Sequence, residues 1–141
     1  MLFVLCGASS QSTSSSISTT VRAEQQMQNT IMIQITAEPL EFSMKERESF
    51  KVGIEAKNVG NKAINPKLYE TVLLVNGQPS FAWGSAISNG PREEAWWNLQ
   101  PGDTITASWP LGEAMFTQPG EYEVVLRLGV QESSVYVRVT Q

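Results

Sequence analysis

The residue types best suited to chemistry cluster between positions 82 and 97, AWGSAISNGPREEAWW. Glu93 and Glu94 are adjacent carboxylates, the groups that act as general acid and base in glycoside hydrolysis. That reaction needs two carboxyl groups converging across one bond. Neighbours on an extended strand point to opposite faces, so this pair reads instead as a solvated turn edge beside Arg92. Trp83, Trp96 and Trp97 lie in the same stretch, three of the chain's four tryptophans. Exposed indoles stack on sugars and peptides, and Ser85, Ser88, Asn89 and Arg92 would supply a polar rim. The candidate ligand-binding residues are therefore Trp83, Trp96, Trp97 and Arg92. The competing expectation is structural. Trp83, Trp109 and one of the Trp96/Trp97 pair fill a core, and the remaining indole covers an edge. On a strand, only one of two adjacent indoles enters a one-sided core, and alternation does not say which.

What the composition lacks narrows the chemistry further. The 141 residues include no histidine, which removes Ser-His-Asp and Cys-His nucleophile systems and His-ligated metal sites. Asp103 is the only aspartate, so a calcium loop built on clustered aspartates is not expected. Cys6 is the only cysteine, so neither an intrachain disulfide nor a cysteine-based structural metal site can form. The expectation is a protein that is not an enzyme, with no catalytic residues, metal ligands or cofactor. A net charge of −4 offers no clustered basic footprint and hence no nucleic-acid partner.

Residues 1–29 differ from the rest. An apolar start, MLFVL, runs into Cys6 and small residues, and positions 11–20 are almost all Ser, Thr and Gln. Such a tract buries too little apolar surface to offset its ordering entropy, so it is expected to be disordered. The order of apolar run, cysteine, polar tether and folded domain resembles the end of a bacterial lipoprotein signal. That resemblance implies acylation of Cys6, a membrane contact only through that lipid anchor, and a cell-envelope or secreted location; the alternative is a cytoplasmic protein with an apolar N-terminus. No other stretch approaches the roughly 20 apolar residues of a membrane span.

The elements that must position the tryptophan region come from residues 30–141, where hydrophobicity alternates with period two. Ile31, Ile33 and Ile35 share one phase, as do Phe50, Val52, Ile54 and Ala56. Tyr69, Thr71, Leu73 and Val75 follow, then Ile105, Ala107 and Trp109, then Tyr122, Val124, Leu126 and Leu128, then Val135, Val137 and Val139. Strict alternation puts one set toward a core and the other toward water. Asn58-Val59-Gly60, Asn76-Gly77, Gln100-Pro101-Gly102, Gln118-Pro119-Gly120 and Gly129 break these runs as turns. No long run has helical spacing; residues 110–116 hold at most one helical turn. The fold class expected is all-β, an immunoglobulin-like antiparallel β-sandwich of about seven strands. If residues 30–36 or 133–140 lie at a sheet edge, they can pair with a neighbour.

Pro119-Gly120-Glu121-Tyr122 resembles the corner before strand F of immunoglobulin-like domains, where a tyrosine hydroxyl returns to the backbone of the preceding turn. Together with Lys57-Asn58-Val59-Gly60 and Leu99-Gln100-Pro101-Gly102-Asp103, it is similar to the BsuPI-like bacterial intracellular proteinase inhibitor domains and to CARDB-type bacterial surface modules. The likeness covers about residues 35–140 and rests on turns and corners. It implies the fold, and for the inhibitor family it implies protease blocking, with no short stretch here that matches a reactive loop. The expected function is a non-enzymatic cell-envelope or secreted module with a binding or structural role. Another protein or a polysaccharide is the expected partner. The alternatives are a BsuPI-like proteinase inhibitor and a carbohydrate-binding module using exposed tryptophans.

Overall fold

The computed structural model describes residues 30–90 and 93–141; Cys6, the Ser/Thr-rich leader and Arg92 lie outside them. Where one face of a strand is buried, each inward side chain contributes about 1.5–3 kcal/mol, and the alternating runs form strands accordingly. They are β1 (Ile31–Glu38), β2 (Glu41–Ser43), β3 (Lys51–Asn58), β4 (Val72–Val75), β5 (Gln78–Pro79), β6 (Thr104–Trp109), β7 (Gly120–Leu128) and β8 (Gln131–Thr140). They make a three-stranded sheet, β1-β3-β6, and a five-stranded sheet, β2-β8-β7-β4-β5. The two sheets form a mainly antiparallel, sandwich-like arrangement. One pairing departs from the antiparallel expectation, since β2 runs parallel to β8 with Phe42 opposite Val139. The chain reaches β2 directly from β1, so its first extended segment serves both sheets in turn.

The core lies between the sheets. Val52, Ile54 and Ala56 of β3 face Val124 and Leu126 of β7 and Val137 and Val139 of β8, all buried. Phe42, Phe50 and Phe116 close one end, with ring centroids 5.1–5.7 Å apart. Tyr122 packs on Phe116 at 4.8 Å, and its hydroxyl donates to the Gln118 carbonyl at 2.6 Å. This is the return to the preceding turn that the Pro-Gly-Glu-Tyr corner implied.

Opposite the phenylalanines, Asn58 is fully buried at the end of β3. Its Nδ2 donates to the carbonyls of Lys62 (2.8 Å) and Leu99 (2.9 Å), and its Oδ1 accepts from the Gly60 amide at 2.9 Å. Its backbone bonds Asp103 and Gly102. One amide side chain thus ties two loops together with every polar group partnered, as burial requires.

Helical structure exceeds expectation. Beyond the single turn α2 (Gly112–Met115), a two-turn helix α1 spans Phe81–Ser88, and 3-10 turns span Met44–Ser49, Leu68–Glu70 and Glu94–Trp96. The Tyr69 run therefore begins as a 3-10 turn and becomes a strand only at Val72. Residues 30–36 and 133–140 are not free edges either. The outward amides of Ile33 and Ile35 donate to Gln131 Oε1 (3.2 Å) and Ser133 Oγ (2.9 Å), and Gln131 Nε2 donates to the Ile31 carbonyl. Side chains of β8 thereby cover the β1 edge, while β8 itself lies between β2 and β7.

Candidate functional site

The tryptophan region is built around α1. Asn76-Gly77, both at positive φ (48° and 81°), closes the β4–β5 hairpin, as a two-residue turn of this kind requires. Ser80 then caps the helix, its hydroxyl accepting from the Trp83 amide at 3.2 Å, which satisfies one of the orphan donors of a helix start. The i, i+4 pair Trp83 and Ile87 turns into the core, while Phe81, Gly84, Ser85 and Ser88 face water.

Trp83 is 1% exposed. Its indole N–H donates to Thr71 Oγ1 at 3.1 Å, and that hydroxyl donates to the Leu68 carbonyl at 2.7 Å. Trp109 meets the ring edge-to-face, with centroids 5.3 Å apart. Both faces and the polar edge of Trp83 are engaged within the protein, so it presents no surface to a ligand. The reason is the helix: on α1 the residue two after the first exposed position points inward, where a loop at the sandwich end would have left it peripheral.

Trp96 and Trp97 sit at the end of a 3-10 turn, not on a strand. Successive side chains there diverge by roughly 120° at three residues per turn. Trp96 is 2% exposed and packs on Tyr69 at 5.7 Å, whereas Trp97 is 45% exposed. One indole inside and one outside matches the structural expectation, through a different geometry. Trp109 packs half-buried against the core. The structure therefore does not bring Trp83 and one of Trp96/Trp97 together as a platform. Glu93 caps the 3-10 turn and Glu94 opens it, both exposed.

A surface that the sequence reading missed lies on the outer side of α1. An open groove of about 800 Å³ runs between the β4–β5 hairpin, α1 and the Leu111–Met115 segment. Ala82, Ala86, Trp109 and Met115 contribute apolar floor, and Gln78, Ser85 and Asn89 contribute polar atoms; among the described residues, no charged side chain lines it. Phe81 stands on its rim, 90% exposed, and a second hollow of about 640 Å³ continues past it toward Gly84 and Ser88. Only the phenylalanine at the start of the Phe-Ala-Trp run hinted at this surface, and with no helical spacing legible over Phe81–Ser88 the residues that share its face stayed hidden.

Elsewhere, Glu46 Oε1 accepts from the Ser43 amide (3.2 Å) and the Ser43 hydroxyl (2.9 Å). The backbone bond first and the hydroxyl second hold its carboxyl below the ordinary value of 4.5. Among the described residues, no three His, Cys, Asp or Glu side chains cluster as metal ligands, and no helix is long and apolar enough to cross a membrane. No protein-family model matches this chain, and no curated protein does either.

Proposed function

We propose that this chain is a non-enzymatic, immunoglobulin-like β-sandwich module of a bacterial envelope or secreted protein, and that it holds an uncharged, apolar segment of a partner polypeptide against the Phe81 groove. The observation that carries the reading is the pairing of a 90% exposed phenylalanine with an adjoining groove lined, among the described residues, by no charged side chain. Large aromatic surface left in water beside a concave apolar floor is a hallmark of contact sites. The missing histidine and the single aspartate argue for binding over turnover. Three features support the immunoglobulin-like plan: the Tyr122 corner, the first segment shared between sheets and the seven strands left when two-residue β5 is set aside.

Peptides selected from a displayed library against the folded protein test this directly. Winners should be uncharged and apolar, and Phe81→Ala should weaken them at least roughly tenfold, the loss of about 1.4 kcal/mol of contact, with an unchanged circular-dichroism spectrum. Winners indifferent to Phe81→Ala, or measurable hydrolysis across a substrate panel, would contradict the reading. The inhibitor alternative predicts sub-micromolar inhibition of subtilisin-type proteases. The carbohydrate alternative has one half-exposed indole, Trp97, and predicts a polysaccharide-dependent change in its fluorescence.

A further inference from the structure

The edges of the two sheets are not equally protected. β1 is covered by Gln131 and Ser133. β2 is three residues long and carries Glu41, and β5 is two residues long and includes Pro79. Short length, charge, proline and covering side chains are the means by which proteins prevent edge-to-edge pairing. Among the described residues, nothing of this kind protects the remaining edge, β6. It is six residues long, reads Thr-Ile-Thr-Ala-Ser-Trp, and carries no charge and no proline.

The ladder phase tells which of its backbone groups face outward. In an antiparallel pair, alternate residues exchange hydrogen bonds with one neighbour. Ile33 and Ile35 point their amides away from β3, so Lys51, Gly53, Glu55 and Lys57 bond β1, and Val52, Ile54 and Ala56 bond β6. The Asn58 amide, which donates to the Asp103 carbonyl at 3.0 Å, confirms this phase. Trp109, Ala107 and Ile105 therefore turn their backbone toward β3. Thr104, Thr106 and Ser108 turn theirs away, and no backbone partner for their outward groups occurs among the described residues. All three are exposed.

We propose that β6 pairs with β6 of a second copy of this chain across a two-fold axis at Thr106. The strand is complementary to itself in that register. Thr106 faces Thr106 of the other copy, Thr104 faces Ser108, and Ile105 faces Ala107. Six backbone hydrogen bonds result, two for each outward pair. Threonine and serine opposite one another are favourable cross-strand pairs, and no charge meets a like charge along the strand. Pro110 ends the register at one side and Gly102 at the other. The two three-stranded sheets become one of six strands. Closed two-fold pairing uses the edge up completely, so assembly stops at the dimer. The contact does not involve Phe81; β6 shares Trp109 with the groove floor, and substitutions at Thr106 leave that residue unchanged.

So narrow a contact belongs with small, weak interfaces, so sedimentation should span about 10 μM to about 1 mM. The full chain is used under reducing conditions, so that Cys6 cannot cross-link copies. The expected result is a dimer fraction that rises with concentration and, in parallel, slowed hydrogen exchange at the Thr104, Thr106 and Ser108 amides. Thr106→Lys sets two ammonium groups face to face on the axis and should weaken association roughly tenfold or more, with thermal stability preserved. Thr106→Glu should do the same. A monomer throughout the range, a dimer indifferent to both variants, or protection confined to other strands would overturn the proposal.

Discussion

Thr71→Val removes one oxygen from the core and leaves its shape intact. In the wild type that oxygen accepts the Trp83 indole N–H at 3.1 Å and donates to the Leu68 carbonyl at 2.7 Å. The carbonyl keeps a partner in the variant, because the Thr71 amide also donates to it at 3.1 Å. The indole does not, and it is 1% exposed, so water cannot substitute. An orphaned buried donor costs about 1–3 kcal/mol, against roughly 0.8 kcal/mol returned by the added methyl. Taking the middle of that range, the net expectation is a loss of about 1 kcal/mol. Trp83→Phe alone should cost about 2 kcal/mol through lost volume and the same bond. In the double variant no donor is stranded, so the combined loss should fall short of the sum by about 1 kcal/mol. Urea unfolding followed by circular dichroism reads this as a midpoint shift of roughly 0.5–1 M for Thr71→Val. A shift within error of zero, or strictly additive losses, would refute the claim that Thr71 satisfies the buried indole of Trp83.

Asn58→Ala takes the partner from the Lys62 carbonyl and the Gly60 amide, while the Leu99 carbonyl keeps the Ile64 amide at 3.0 Å, and should cost about 2 kcal/mol or more, measured by the same unfolding curves. Gly53→Ala would set a Cβ 2.0 Å from the Ala107 carbonyl oxygen and 2.7 Å from Ser108 Cα, both on the paired strand. β6 must move, so thermal unfolding should fall by about 8 °C or more, corresponding to about 2 kcal/mol or more. Glu46 has a folded pKa below its unfolded value. Its stabilisation is therefore complete above pH 4.5 and is lost as pH falls through the folded value. The stability difference between wild type and Glu46→Gln should shrink across that acid window and stay flat from pH 5 to about 7.

Legibility in the sequence followed burial. β3, β7 and β8 were readable because each buries one face, so Val52, Ile54 and Ala56 alternate with exposed Lys51, Glu55 and Lys57. The Tyr122 corner was readable because a local motif specifies a local bond. Helix α1 was not. Its two turns bury just Trp83 and Ile87, one i, i+4 pair, too few to set a period, and Gly84 in its middle reads as a breaker. Without the helix, Trp83 stayed open both as a core residue and as a ligand-binding candidate, and Phe81 went unnoticed. The 3-10 turn at Glu94–Trp96 likewise separated Trp96 from Trp97 by a rotation that strand logic cannot produce. Asn58 was legible as a turn residue. Its role as a buried tie depends on Leu99, 41 positions away, and no local pattern encodes that.

The indoles of Trp83 and Trp96 are committed to the core, and the proposed contact with a partner polypeptide is made at the Phe81 groove. Amide shift mapping during titration with an uncharged apolar peptide measures this most directly. Perturbations should centre on Phe81, Ala82, Ser85 and Met115, with the Trp83 and Trp96 indole resonances shifting little. Shifts centred on the Trp97 face, with the groove silent, would contradict it.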